Sequence, residues 1–539
     1  MTEFSRLERW IEARMDLDGT PGLGIAITNR NETIYVGHYG FADLAARTPA
    51  GPEHVWQNGS IGKSYTALLL LILNERGQVD LHAPVKRYLP WFEASNPATP
   101  ITIHHLLTHT SGLFGGSDVA ADGRFEAWSL RDRPVLGAPG ERFSYSDVGY
   151  KVLGYVIEEI VGESYSAAVT REILEPLGMR DSFTPITDRE RHRFAVGYRF
   201  AHRDRTWRNE HGLVPDAWIE TGTGDGSIAV TTADMARYTR AILNRGAGLI
   251  GEESFALMVG DLGPRDEDDP DSTYGYGLMT FDLDGHRCYG HGGDMLGYFA
   301  SMVLDGEAGL GVCTLTNGPG NEDTIAEVAL GYTRAKLTGG DAYELPPVVP
   351  HSVIEEAPEL AGVYRNDKET WELIAEGSSL YLVRDERRVP IERYRGTRYL
   401  LVDPEFDRYK LTFERDEEER VVALCHGPRW LGRDGAAHDA PGESRDEWRA
   451  FVGVYQNYNP WQQRFEVFLR RGILHLELGY GWPQAMIELE PGLFQVGSPP
   501  SADRLRFDAI AQGQALRAEL NGQNYYRTLW SSLPSARSG

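Results

Sequence analysis

Gly59-Ser60-Ile61-Gly62-Lys63-Ser64-Tyr65-Thr66-Ala67-Leu68-Leu69-Leu70-Leu71-Ile72-Leu73-Asn74-Glu75 sets a hydroxyl and an amine three residues apart at the mouth of a strongly apolar stretch. The run from Tyr65 to Glu75 predicts a buried helix, with Gly59 and Gly77 punctuating its ends. Residues i and i+3 share a helical face, so the Lys63 amine reaches the Ser60 hydroxyl. Free N–H groups and the positive dipole end at the helix start favour negative charge developing near Ser60. That combination suits acyl transfer. The tetrapeptide alone is also consistent with a helix-capping serine beside a solvated lysine.

Lysine usage favours the chemical reading. Lys63, Lys86, Lys151, Lys336, Lys368 and Lys410 are the only lysines, and arginine carries nearly all the remaining positive charge. A group that activates a nucleophile must be able to lose its proton, which arginine does not do.

Two later stretches fit the same chemistry. Pro139 to Asp147 (PGERFSYSD) is a Pro/Gly-opened loop ahead of a periodic helix from Val148 to Val161, and it sets Tyr145 and Asp147 two residues apart, facing one way. Tyr289-Gly290-His291-Gly292-Gly293-Asp294 follows a strand-like run, with glycines that let a backbone approach a ligand closely.

The order of these motifs resembles the serine β-lactamase-like, penicillin-recognising hydrolases of the class C type. The likeness covers roughly the first three-fifths of the chain and includes Ile103 to Leu113 (IHHLLTHTSGL) and Pro176-Leu177-Gly178-Met179. It implies an α/β (α+β) catalytic domain, a mixed sheet with flanking helices plus an all-helical lobe, with Ser60 in the cleft. Carried over position by position, Ser60 is the acylated nucleophile, Lys63 its proton partner, and Tyr145 the general base or the relay to the leaving group. His291 takes the place of the lysine in a Lys-Thr-Gly strand. The backbone N–H groups of Ser60 and Asp294 form the oxyanion hole, and Asp147, Gly292 and Gly293 border the substrate. The resemblance implies neither a cofactor nor a metal.

One position departs from the family. Asp147 stands where the pattern reads Tyr-x-Asn, replacing an amide donor by a charge. A carboxylate there holds Lys63 protonated, pushes the base role toward Tyr145 and suits a substrate with a free ammonium. His291 serves a substrate carboxylate less well than lysine does. Both changes lean toward an aminopeptidase, amidase or esterase.

The 539 residues exceed one ordinary core. We expect a catalytic domain over 1–337, a Gly/Pro-rich linker over 338–351, and two further domains over 352–445 and 446–539. These last two read as short β-branched and aromatic runs, and they share an opening, Leu360 to Asn366 (LAGVYRN) against Phe451 to Asn457 (FVGVYQN). Their size and order resemble the two lipocalin-like antiparallel β-barrels of three-domain D-aminopeptidases, with Gly479 to Pro483 as a candidate loop for restricting the cleft.

A net charge of −25 discourages nucleic-acid and anionic-membrane partners. The leading residues read as an amphipathic helix, no apolar run is long enough to span a membrane, and Cys288, Cys313 and Cys425 suggest no disulfide framework, so a cytoplasmic enzyme is expected. The expected partner is a small molecule or short peptide, with homo-oligomerisation left open. Zinc held by His104, His105 or His109 is disfavoured for want of a His-Glu-x-x-His pattern, and a nucleophile elbow for want of a strand leading into Ser60. The leading function is a serine hydrolase acting through an acyl-enzyme on small peptides, amides or esters, foremost an aminopeptidase or amidase for D-residue substrates. A carboxylesterase and a non-catalytic penicillin-recognising sensor are the alternatives.

Overall fold

The computed structural model describes residues 4–94, 99–116, 122–133, 135–202, 205–206, 208–266, 269–337, 343–384, 387–434, 445–478, 483–497, 501 and 503–528. The chain forms two compact units, one of residues 1–199 with 213–348, the other of 200–212 with 349–539.

The first unit is built on one eight-stranded sheet whose spatial order is 48–49, 33–43, 22–29, 310–316, 298–305, 286–295, 279–283 and 273–274. Each ladder in it is antiparallel, which refines the expectation of a mixed sheet. The central strands Gly22–Asn29 and Leu310–Thr316 are buried almost end to end because helices cover both faces. On one face Leu7, Ile11 and Met15 of Ser5–Asp18 join Ile325 and Ala329 of Glu322–Leu337 over Leu23, Ile25 and Val312. Helix Thr232–Leu243 covers the other face.

The helical part gathers Ile103–Leu107, Gly123–Ser129, Asp147–Val161 and Tyr165–Val169 near the buried helix Gly62–Glu75. That helix starts three residues earlier than its apolar run predicts, after a single 3-10 turn at Gly59–Ile61. Ser64 anchors this start, donating to Ile61 O (2.6 Å) and sharing a hydrogen bond with the Tyr238 hydroxyl (2.7 Å).

The second unit holds two closed, eight-stranded antiparallel barrels, running from Gly362–Arg365 to Arg429–Arg433 and from Gly453–Gln456 to Gln523–Arg527. The repeated opening has a structural counterpart. Tyr364 donates to Leu360 O (2.7 Å) and Tyr455 to Phe451 O (2.8 Å). Each tyrosine pairs across the closing ladder with an arginine of the last strand, Arg433 or Arg527, whose guanidinium lies over its ring. These arginines donate to Ala361 O and Ala450 O, both at 2.7 Å. The first and last strands are far apart in sequence, so the arginines escape a reading of local patterns.

Tyr409 falls outside the strand Leu411–Arg415 and turns its hydroxyl to Glu466 (2.7 Å), which also takes two bonds from Arg408 (3.0 and 2.8 Å) and so ties one barrel to the other. Residues 200–212 belong to this unit through Thr206, whose N–H and hydroxyl both donate to Asp407 O at 2.7 Å. The candidate loop residues 479–482 and the linker residues 338–342 lie outside the described residues.

Removing either closing hydroxyl leaves a buried carbonyl short of a partner. Tyr364→Phe and Tyr455→Phe are each expected to lower stability by about 1–2 kcal/mol, measured by urea unfolding of the full chain. A loss at only one of the two would deny the barrels a common closure.

Candidate active site

Ser60 sits half-buried in the 3-10 turn, and Lys63 opens the first turn of the helix behind it with its side chain fully buried. The Lys63 ammonium donates to Ser60 Oγ (2.8 Å), Asp147 Oδ1 (2.6 Å) and Asp225 O (2.9 Å), which uses all three of its hydrogens. Burial alone drives this amine toward its neutral form. The Asp147 carboxylate, helped by Tyr145 and Asp225, outweighs burial and holds Lys63 above the usual lysine range.

Asp147 is the first residue of helix Asp147–Val161, where a carboxylate is favoured by the helix dipole. Ser146 caps that helix by accepting from Gly149 N (3.1 Å), and its hydroxyl donates to Phe114 O (2.7 Å). Tyr145 precedes the cap, and the Lys63 nitrogen lies 4.8 Å from its ring centre. Burial raises the Tyr145 phenol above its ordinary value, while contacts with Lys63 and Ser60 pull it partway back. It therefore rests as a neutral phenol.

Strand His286–Met295 brings the glycine pair against the Ser60 turn. A Cβ at Gly293 would stand 2.0 Å from Asn58 O and 3.3 Å from Ser60 N, so the strand reaches Ser60 only because this residue is glycine. Gly59, held at φ +54°, leaves room in the same way, since a Cβ there would stand 2.5 Å from Asp294 N. The Ser60 and Asp294 nitrogens therefore lie on two backbone segments packed directly against each other. Gly292 is less crowded.

His291 is buried, its ring centre 6.2 Å from that of Tyr145. Its Nδ1 donates to Gly292 O (2.5 Å), so its Nε2 accepts from the Tyr274 hydroxyl (3.0 Å). Burial and then the Lys63 charge push it down to about 4. A neutral ring with both nitrogens engaged lines the wall and has no proton to offer a substrate. Asp294 keeps an exposed side chain, yet protein surrounds its carboxyl on most sides. That desolvation, followed by the Asp147 and Asp216 carboxylates, pushes its carboxyl up to about 7.

Helix Ile103–Leu107 ends before His109, so the i, i+4 helical pair that His105 and His109 would need for a metal does not form. Among the described residues no three of His, Cys, Asp and Glu gather in a metal-holding group. The Asp225 carbonyl comes from the glycine-rich 221–227 segment (TGTGDGS), which reads from the sequence as cleft-lining, whereas Tyr274, which reaches His291 from an edge strand of two residues, escaped the sequence reading.

A buried lysine bonded to a serine at a helix start, beside an antiparallel sheet, defines a serine hydrolase of the β-lactamase fold. Residues 7–331 match the Beta-lactamase family, and the chain belongs to that family. Penicillin-binding protein 4 of Amycolatopsis lactamdurans is 30% identical over 339 residues, covering 58% of this chain and 85% of that protein. Esterase EstB of Burkholderia gladioli is 30% identical over 337 residues, covering 54% and 85%. The octameric penicillin-binding protein homologue from Pyrococcus abyssi superposes with a TM-score of 0.59 at 25% identity, covering 80% of this chain and 100% of that one. The D-amino acid amidase from Ochrobactrum anthropi SV3, at 22% identity and a TM-score of 0.52, covers 62% of this chain and 100% of its own and shares the fold. No helix among the described residues is long and apolar enough to cross a membrane.

Asp294 binds its proton more tightly in the folded chain than at its ordinary value of 3.8, so folding gains from that proton at low pH and loses the gain as pH rises toward about 7. Asp294→Asn has no such proton to lose. The melting temperature of the native chain relative to this variant should fall between pH 3.8 and 7 and level off above. A difference independent of pH would contradict the raised carboxyl.

Proposed function

We propose that the chain is a hydrolase of small amides and peptides that forms a covalent acyl-enzyme on Ser60 and prefers substrates with a free ammonium, foremost as an aminopeptidase or amidase on D-residue substrates. The observation that carries this reading is the Lys63–Asp147 pair. One Asp147 oxygen is committed to Lys63, and the side chain is still 36% exposed, so the other oxygen remains for a cationic group. The D-configuration rests on the resemblance to D-aminopeptidases.

A protonated Lys63 and a neutral Tyr145 point to a relay. Ser60 Oγ bonds to the substrate carbonyl carbon as its proton passes to the Tyr145 oxygen and, in the same movement, the phenol gives up its own proton, so Tyr145 stays neutral throughout. The Tyr145 hydroxyl proton moves to the leaving nitrogen or oxygen, the scissile bond breaks, and the amine or alcohol departs neutral. The Ser60 and Asp294 amides hold the oxyanion, a contribution of about 3–4 kcal/mol per donor in comparable sites. Water then attacks the ester along the same path, returning a proton through Tyr145 to Ser60. Lys63 stays an ammonium and orients the serine.

A carboxylesterase is the second reading, favoured by the 30% identity to Esterase EstB and by a His291 with no donor for a substrate carboxylate. The contacts among Ser60, Lys63 and Tyr145 speak against a non-catalytic sensor. Three buried free thiols fit a cytoplasmic setting, and the octameric relative favours self-assembly.

Intact mass after a fluorophosphonate probe should show one adduct on the native chain and none on Ser60→Ala, which should also lose turnover. Labelling of Ser60→Ala would remove the nucleophile. On D- and L-aminoacyl p-nitroanilides, their N-acetylated forms and short p-nitrophenyl esters, Asp147→Asn should lose at least ~10-fold more kcat/KM for free amines than for the others, the size expected of a charge-assisted contact. Equal losses throughout would instead make Asp147 a partner of Lys63 alone.

A further inference from the structure

We propose that His109 is the positioning residue for Tyr145, holding the phenol at the height from which it bridges Ser60 and the leaving group. This rests on the reading of Tyr145 as the proton relay.

Tyr145 stands in irregular chain before the helix at Asp147, so no ladder or helical turn fixes it. His109 grips the chain on both sides of it. Ser144 N donates to His109 O (2.7 Å), and Ser146 N donates to His109 Nδ1 (3.0 Å). Between these bonds the imidazole lies against the Tyr145 ring, centres 4.2 Å apart and planes 32° apart. The residue has φ +56°, a left-handed conformation uncommon for a side chain with a Cβ. That twist lets the carbonyl and the ring of one residue face the same short segment.

Accepting from Ser146 N leaves the His109 proton on Nε2, which has no hydrogen-bond partner among the described residues. The ring is fully buried, walled by Phe143, Tyr145, Tyr150 and Tyr274. The titratable groups facing it are these three tyrosines, Lys63 and His291. Burial, Lys63 and His291 together hold it well below the ordinary histidine value, so Nδ1 stays an acceptor across the working range. A protonated ring would present N–H against the Ser146 N–H and release the loop.

Asparagine places its amide oxygen near Nδ1 and tolerates the left-handed backbone, whereas glutamine carries its oxygen past it. With active sites counted by the fluorophosphonate probe, His109→Ala should lose ~100-fold in kcat per labelled site, as misplacement of a reacting group does, with KM changed less than ~3-fold. His109→Asn should recover to within ~5-fold of native, and His109→Gln should not. On a Tyr145→Phe background His109→Ala should cost less than ~2-fold more, because the two residues act through one phenol. Full activity of His109→Ala, additive losses on that background, or equal Asn and Gln variants would overturn the assignment. If His109→Ala fails to fold by circular dichroism, the Asn and Gln pair decides alone. Native turnover in Tyr145→Phe would defeat the relay itself, an outcome separate from a failure at His109.

Discussion

A fully buried ammonium is the constraint around which the catalytic unit is arranged. Taking Lys63 out of water costs several kcal/mol unless its charge and all three hydrogens find partners. The partners come from three places: Ser60 in the turn before the helix, Asp147 at the start of a second helix, and the Asp225 carbonyl in the 221–227 loop. Each must sit within about 3 Å of one nitrogen. Ser60, Asp147 and the Asp225 carbonyl are therefore placed relative to one another by the same requirement that stabilises the cation. The Asp147 carboxylate adds a second consequence, since it keeps the lysine charged beside a neutral phenol.

The other wall of the site depends on the absence of atoms. Gly293 and Gly59 face each other's backbones at distances no Cβ tolerates, which lets the sheet edge close on the 3-10 turn that carries Ser60. Around this contact lies a ring of aromatics and histidines whose hydrogen bonds are nearly self-contained. His291 hands its protonated nitrogen to its neighbour's carbonyl and receives the Tyr274 hydroxyl on the other. Such a wall is electrically quiet, since His291 stays neutral with both nitrogens engaged.

The barrels follow a simpler logic. Each closes by pairing its first and last strands, and at that seam a tyrosine on one and an arginine on the other satisfy backbone carbonyls that the closure would otherwise bury unpaired. Trp371, Leu382 and Phe406 fill one interior, and Phe465, Phe494 and Phe507 the other. Their interiors are cores, so what distinguishes the two barrels from each other lies in their loops and their outer faces.

Much of this was legible in the chain. Periodicity located helices over 65–75 and 148–161, inside the observed 62–75 and 147–161, because an apolar face repeating every three or four residues is a local property. The spacing of Ser60 and Lys63 placed them on one face for the same reason, and the repeated Gly-Val-Tyr openings announced two similar units. Strand ends were less clear: the alternating run Tyr409-Lys410-Leu411-Thr412-Phe413 reads as one strand, yet the strand starts at Leu411 and Tyr409 turns to Glu466, a partner 57 residues away. The sequence by itself determined which residues have the chemistry, and roughly on which elements they ride. Only the tertiary structure decided that His291 is neutral and fully engaged, that Asp294 holds a proton near neutrality, that His109 leaves its helix to grip the Tyr145 loop, and that the Lys63 cage closes on a backbone carbonyl. These depend on burial and on contacts between segments distant in sequence, quantities that no local pattern encodes.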